Sequence, residues 1–251
     1  MLTKQKSAII METKQKSLLS EIELTADGSH TLFVPSMDEH YHSVNGAKTE
    51  AEHIYINYGL RKSNAYPLHI LEIGFGTGLN AYLTLLETQK LHRKTIYTSL
   101  ELYPLSLEVI RQLNYPDEIY PEYANLYYDL HQAKWNEPCK ITSDFTILKQ
   151  NVDFTGITNP SDSKKWSIGI MDDQPIFYDV IYFDAFAPEK QPEMWNQELF
   201  NALYASTNQN GILMTYCAKG VVRRMLQSAG FTVERLPGPP GKREVLRASK
   251  Q

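Results

Sequence analysis

The sequence predicts an α/β fold: a mostly parallel sheet with helices on both faces, an N-terminal hairpin extension and a C-terminal antiparallel strand. Three observations predict it. From residue 66 onward, short apolar runs alternate with segments of helical period, as in a parallel sheet covered on both sides. The runs Leu68–Ile73 and Tyr178–Phe183 are strongly apolar, as central strands buried on both faces are. The last two apolar segments, Phe231–Leu236 and Glu244–Ala248, flank a Gly/Pro-rich turn and read as a closing hairpin.

In chain order, Thr3-Lys4-Gln5-Lys6-Ser7 recurs as Thr13-Lys14-Gln15-Lys16-Ser17, too short for a structural repeat, and residues 1–20 read as a flexible leader without a signal peptide's apolar stretch. Ile22 and Leu24, then Leu32 and Val34, flank Asp27-Gly28, a pair suited to a tight hairpin turn. Residues 35–48 are polar and predict a loop, and Thr49–Arg61, apolar at Ala51, Ile54, Tyr55 and Tyr58, predicts an amphipathic helix. Residues 21–65 are thus an extension ahead of a core over 66–251. Within the core, Leu68–Ile73 is a strand that runs through a glycine turn into a helix, Leu79–Gln89. A strand over Thr95–Leu100, a helix over Pro104–Leu113, a tyrosine-rich helical stretch over Pro116–Ala133 and a strand over Phe145–Val152 follow. Residues 154–175 lack periodicity and predict an irregular insertion with a short hairpin around Trp166–Ile170. Then come the strand Tyr178–Phe183, a helix over Pro192–Ser206, a strand over Gly211–Cys217 and a helix over Gly220–Ala229 that stops at Gly230.

Length and composition bound the function. A chain of 251 residues buries a core of its own. Cys139 and Cys217 are the only cysteines, which excludes a disulfide framework and a cysteine zinc site and fits a reducing, cytoplasmic location. No apolar run approaches the length of a membrane span. His30, His40, His42 and His53 cluster, yet no cysteine joins them, so they read as exposed residues and no metal is expected.

Two motifs carry chemistry. Glu72-Ile-Gly74-Phe-Gly76-Thr77-Gly78-Leu-Asn80 lies between strand and helix, where an open α/β sheet binds its ligand. Glycines let the backbone turn sharply and approach a cofactor, and the helix N-terminus offers free amides. The third glycine comes one position earlier than in the dinucleotide fingerprint, and Glu72 would repel a pyrophosphate but can receive a cationic amino group, which favours S-adenosylmethionine over NAD. Glu101, ending the second strand, suits ribose hydroxyls in either cofactor class. Asp153, after the third strand, is the analogous candidate for the adenine amino group, or an ordinary loop aspartate. The second motif is Tyr182-Phe183-Asp184-Ala-Phe-Ala-Pro188-Glu-Lys190. An aspartate ending an apolar strand is costly unless it stands at the mouth of a site, and there Asp184 can orient an amine nucleophile and take up its proton.

Together with Ser99-Leu-Glu101-Leu-Tyr-Pro104, Gln191-Pro192-Glu-Met194-Trp195, Val222-Arg223-Arg224-Met-Leu-Gln-Ser-Ala-Gly-Phe231 and Gly241-Lys242-Arg243-Glu244, these blocks resemble the methyltransferase half of the MnmC family over roughly residues 21–249. Ala218-Lys219-Gly220-Val221 departs from that family's pattern. The resemblance implies a Rossmann-like class I S-adenosylmethionine-dependent methyltransferase. Its implied reaction moves a methyl group to the exocyclic amine of 5-aminomethyl-(2-thio)uridine at the tRNA wobble position. It places the cofactor among Glu72, Gly74, Gly76, Gly78 and Glu101, and the acceptor amine beside Asp184. It also implies that residues 38–43 order over cofactor or substrate. The FAD-dependent oxidase domain of bifunctional members has no counterpart in this sequence, so no FAD is expected and separate enzymes would supply the aminomethyl group. Tyr41 and Trp195 are candidates to stack on the flipped uridine, or pack beneath a loop. The competing readings are a methyltransferase for another amine, a nicotinamide oxidoreductase, and a non-catalytic S-adenosylmethionine-binding RNA module.

The net charge of −4 argues at first against a polyanion partner. It is unevenly spread, however: residues 219–251 hold eight basic and two acidic side chains. Lys219, Arg223, Arg224, Lys242 and Arg243 are therefore the expected phosphate contacts for tRNA.

Overall fold

Strands Glu21–Leu24 (β1) and His30–Val34 (β2) pair antiparallel across the Asp27-Gly28 turn, in a computed structural model that describes residues 20–119, 121–156, 168–171 and 174–251. Residues 1–19 of the expected leader and most of the insertion, 157–167 with 172 and 173, lie outside the described residues. The loop expected at residues 35–48 contributes a third strand, Glu39–His40 (β3), paired to β2. Asp27 fastens this hairpin to the next helix, one carboxylate oxygen accepting from Ser29 N and the other from Thr49 N. That helix, Ala47–Ala51 (α1), widens into a π-helical segment over Glu52–Asn57.

The core alternates as expected through Leu68–Ile73 (β4), Leu79–Lys90 (α2) and Thr95–Glu101 (β5). The next region differs from expectation. Prolines at 116 and 121 each start a new helical piece, because proline fits a first turn and breaks an interior, so the stretch divides. It comprises Leu107–Ile110 (α3), Tyr115–Glu118 (α4), a 3-10 turn at Pro121–Tyr123, and Ala124–Gln132 (α5). An unexpected edge strand, Pro138–Lys140 (β6), pairs antiparallel with Phe145–Asn151 (β7). In the insertion, Ile170–Met171 (β8) and Gln174–Pro175 (β9) form a two-rung ladder, displaced from the hairpin expected at 166–170. Tyr178–Phe183 (β10), Gln197–Ser206 (α6), Thr207–Thr215 (β11), Gly220–Ala229 (α7), Thr232–Pro237 (β12) and Glu244–Ser249 (β13) complete the chain. Residues 192–194 form a separate 3-10 turn, because Asn196 caps α6 by accepting from Leu199 N.

The main sheet has the order β12-β13-β11-β10-β4-β5-β7-β6. Strands β4, β5, β7, β10 and β11 are parallel, and β13 inserts antiparallel between β11 and β12. That is the arrangement of a Rossmann-like class I methyltransferase, with β6 as an added edge. Alternate residues of one strand serve opposite faces: Leu68 and Ile70 join the core that holds α2 and α5, while Leu71 and Ile73 join the one that holds α6 and α7. The chain winds outward from β4 through β5 to β7 on one side and returns through β10 to β11 on the other. The crevice at this reversal opens at the carboxyl ends of β4 and β10, where both sequence motifs lie.

Candidate functional site

A cavity of about 660 Å³ occupies that crevice, within the range of small-molecule sites. The glycine turn forms its floor. Gly74 and Gly78 have φ of 93° and 73°, which side-chain-bearing residues rarely adopt. A Cβ on Gly74 would lie 2.8 Å from the backbone oxygen of Asp184, so glycine at 74 lets the loops after β4 and β10 touch. No side chain caps α2, and Leu79 and Asn80 of its first turn line the cavity, leaving a partly positive helix end there. Thr77 also lines it, its hydroxyl 2.8 Å from His42 Nε2.

Glu101 lies at the rim. Its Oε2 accepts from Gly76 N at 3.0 Å and its Oε1 from Tyr103 N at 2.8 Å, leaving further lone pairs toward the cavity. Burial raises its carboxyl above the usual range, against the lowering effect of these amides. Asp153 is an exposed rim residue whose Oδ1 accepts from Thr155 N and Oγ1. Glu72 differs from expectation. Its side chain is fully buried on the sheet face that carries Ile70, receives Ser99 Oγ at 2.5 Å and is not part of the cavity wall. The alternation of β4 turns it into the core beneath the turn rather than toward a bound ligand.

Asp184 stands opposite the glycine turn. Tyr55 Oη donates to its Oδ1 at 2.6 Å and Asn80 Nδ2 to its Oδ2 at 2.8 Å. Burial raises its carboxyl above the usual range, while His42 and these two donors pull it back. Burial also raises Tyr55 well above the usual phenol range and lowers His42 below the usual imidazole range, the Asp184 and Glu50 carboxylates opposing the latter. The sequence pointed to neither residue. His42, expected to be exposed, is 8% exposed beside Thr77, and Tyr55 read only as an apolar helix position. Its π-helical setting is a frequent one at functional sites, but spacing alone does not reveal it.

Residues 39–44 line the opposite wall. Tyr41 packs edge-on against Phe186 at 5.0 Å, and a Cβ on Gly76 would lie 2.9 Å from its ring. Trp195 is elsewhere. It is 6% exposed, donates Nε1 to Phe186 O at 2.8 Å and packs on Phe183, away from the cavity wall. In this structure it packs under the loop after β10.

The basic candidates divide. Lys242 lines the cavity, 3.1 Å from Glu50 Oε2 and 5.0 Å above the Tyr216 ring. Tyr216 itself donates to Ala185 O at 2.9 Å, behind Asp184. Lys219 pairs with Glu189 outside the cavity. Arg223, Arg224 and Arg243 have no ion pair with another described residue and also lie outside the cavity wall. Among the described residues no group of three or more histidine, cysteine, aspartate or glutamate side chains is arranged to hold a metal, and no helix is long and apolar enough to cross a membrane.

Residues 168–251 match the family described as S-adenosyl-L-methionine-dependent methyltransferase. The chain is 28% identical over 223 residues to the tRNA 5-methylaminomethyl-2-thiouridine biosynthesis bifunctional protein MnmC of Campylobacter fetus subsp. fetus (strain 82-40). That alignment covers 87% of this chain and 34% of the relative, so the chain spans about a third of its length. The crystal structure of MNMC2 from Aquifex aeolicus superposes with a TM-score of 0.70 at 23% identity, covering 92% of this chain and 70% of that one. The fold is thus that of MNMC2, and the chain resembles MnmC and, over residues 168–251, S-adenosyl-L-methionine-dependent methyltransferases.

Proposed function

We propose that this relative of S-adenosylmethionine-dependent methyltransferases transfers a methyl group to the exocyclic amine of 5-aminomethyl-(2-thio)uridine at the wobble position of tRNA, giving 5-methylaminomethyl-(2-thio)uridine. One observation carries the reading. Asp184 is a cavity-lining carboxylate held by two donors, Tyr55 Oη and Asn80 Nδ2, opposite the glycine turn.

The donor set fits that cofactor. Glu101 offers lone pairs for ribose hydroxyls, and the uncapped N-terminus of α2 suits a carboxylate. The bound cofactor supplies an electrophilic methyl group on a sulfonium. The remaining chemistry belongs to this chain. An alkyl ammonium has no lone pair, so the substrate amine must lose a proton before attack. Asp184 orients the amine by accepting a hydrogen bond and takes that proton on a carboxylate oxygen; its raised affinity for protons, caused by burial, suits it to the task. Tyr55 and Asn80 keep both oxygens directed, so positioning is set before the amine arrives. Tyr41, beside Gly76 and Phe186, offers a face for a flipped base. Lys242 at the cavity wall, and Arg223, Arg224 and Arg243, without an ion pair to another described residue, are the cations offered to tRNA phosphates.

The reading predicts that purified protein moves labelled methyl from S-adenosylmethionine into tRNA bearing 5-aminomethyluridine, and that nucleoside analysis finds 5-methylaminomethyluridine. Cofactor binding without that product would remove the tRNA acceptor from the reading, and label in a small amine instead would replace it.

A further inference from the structure

Lys149 is a charged side chain where the period of its strand calls for an apolar one. On β7 it follows Phe145 and Ile147 on the face that packs against α2 and α5, and it is 1% exposed. A buried ammonium ordinarily pairs with a carboxylate, yet Lys149 forms no ion pair with another described residue. Three neutral groups meet its Nζ instead. It donates to His131 O at 2.6 Å, in the last turn of α5, and stands 4.7 Å from the ring centre of Trp135 and 5.3 Å from that of Phe75. The carbonyl is one that helix geometry leaves free, at the negative end of the helix dipole, and both rings offer electron-rich faces to a cation.

Phe75 connects this cage to the cavity. In Gly74-Phe75-Gly76-Thr77-Gly78 three glycines with positive φ alternate with two side chains, and the freedom of the glycines makes the turn costly to hold in one path. Amides hold it on the sheet side, those of Gly74 and Phe75 donating to Leu100 O and that of Gly76 to Glu101. On the α5 side both side-chain-bearing residues are held. Thr77 O accepts from Tyr127 Oη at 2.8 Å and from His131 Nε2 at 3.2 Å. Phe75, 4% exposed, packs on His131 at 5.1 Å and edge-on to Trp135 at 6.0 Å, with the Lys149 ammonium over its ring. One ammonium thus ties the end of α5 to the middle of the turn that lines the cavity.

We propose that Lys149 is a positioning residue for the cofactor: its ammonium, held by His131 O and the Trp135 ring, clamps Phe75 and keeps the glycine turn in the path that receives S-adenosylmethionine. Lys149 itself is not part of the cavity wall. Burial lowers its pKa to about 8, with Cys139 from β6 acting the other way. His131 from α5 is brought down to about 3, by burial first and then by the Lys149 charge, so it adds no charge of its own at neutral pH. The clamp is therefore charged at pH 7 and loses its charge as pH rises past about 8.

NMR titration of isotope-labelled lysine side chains tests the cage without any ligand. One signal, missing from Lys149→Met, should titrate at about pH 8 rather than at the usual value of about 10.4; a Lys149 that titrates like the others overturns the cage. The positioning role rests on the reading of the turn as a S-adenosylmethionine site and is read in calorimetric dissociation constants. Lys149→Met keeps an unbranched side chain and removes the charge. At pH 7 it should bind S-adenosylmethionine about fivefold more weakly, within the worth of one cation–ring contact. The amino group of the cofactor titrates at about pH 8 with both proteins, so the ratio of the two constants is the quantity to follow. That ratio should fall toward one by about pH 9.5, where the wild type has lost the same charge. A ratio that does not move with pH marks a merely structural lysine and overturns the role. Phe75→Leu keeps an apolar side chain and removes the ring, so in that background Lys149→Met should change cofactor affinity less than about twofold. Full additivity of the two substitutions overturns the clamp. If S-adenosylmethionine binds neither protein, the reading of the site fails, while the lysine titration and the coupling of the two substitutions in denaturant unfolding still decide whether Lys149 grips Phe75.

Discussion

One wall of the cavity includes the loops that leave β4, β5 and β10, the other residues 39–44 and Glu50 of the N-terminal extension, which also sends Tyr55 to Asp184, and the two hold their polar groups in different ways. On the first wall the groups are fixed among the loops of one sheet edge: Glu101 by the amides of Gly76 and Tyr103, and the loop after β4 by contact of Gly74 with the Asp184 backbone. On the second wall they reach across to that edge. Tyr55 reaches Asp184 across 129 positions of chain, and His42 reaches Thr77 across 35. The core strands thus provide the carboxylate proposed to react, and the extension provides one of the two donors that orient it.

Removing the contribution of the first wall should have the largest effect. Asp184→Ala is expected to lower kcat by ~10²–10⁴, the usual span for a general base, with S-adenosylmethionine affinity retained in a calorimetric titration. Unchanged turnover would remove Asp184 from the reaction. Asp184→Asn should also reveal what the buried carboxyl costs. Its proton affinity is raised in the fold, by burial first, and ordinary in the unfolded chain, so between those two values the unfolded state binds fewer protons. Stability then falls as pH rises through that window. The Asn variant should accordingly melt at a higher temperature than wild type at neutral pH, and the difference should shrink as pH is lowered below the ordinary carboxylate range.

Tyr55→Phe probes the second wall with an intermediate effect. It deletes one hydrogen bond to a charged acceptor and nothing else of the ring, which keeps its packing on Tyr182. A bond of that kind is worth about 1.5–3 kcal/mol, so kcat should fall at least tenfold while cofactor affinity holds. Losing a lowering hydrogen bond raises the proton affinity of Asp184 further, so the acid limb of the kcat profile should move to higher pH. A Tyr55→Phe variant with wild-type kcat would mean that the extension only covers the site and does not orient its carboxylate.

This contrast also explains what could be read in the sequence. The five parallel strands were legible, because burial on both faces leaves apolar runs such as Val180–Phe183 that no surface helix shows. The glycine turn and Asp184 were legible because each is a local pattern at a strand end. Tyr55, His42 and Glu50 were not, since nothing local separates a tyrosine that donates to a catalytic carboxylate from one that fills a core. The chain has 16 tyrosines, and Tyr82, Tyr127 and Tyr178 are as deeply buried as Tyr55. Glu72 shows the converse. Its position in the motif was legible, but a strand's period of two sends alternate side chains to opposite faces, and residue 72 takes the inner one. The short strands β3 and β6 escaped for another reason, their two and three residues being too few to show any period.

Trp195 gives the smallest expected effect and separates the two readings its sequence position allows. If it packs under the loop after β10, as its 6% exposure and its bond to Phe186 O indicate, its work is to hold that loop in place. Trp195→Phe keeps an aromatic ring against Phe183 and Phe200 and loses the indole N–H, leaving the Phe186 carbonyl without that donor. The loss should be about 1 kcal/mol of stability in denaturant unfolding, the usual net worth of a neutral hydrogen bond. The KM for tRNA should stay within about twofold, because no base contact is removed; a stacked base by contrast is worth about 1–3 kcal/mol. A KM that rises tenfold with stability unchanged would put Trp195 on the substrate and would require the 184–195 loop to open toward the cavity when tRNA binds. Unchanged KM with reduced stability would leave Tyr41, contributed by the extension, as the aromatic side chain positioned to meet the base, and would give the second wall a role in substrate recognition as well as in orienting Asp184.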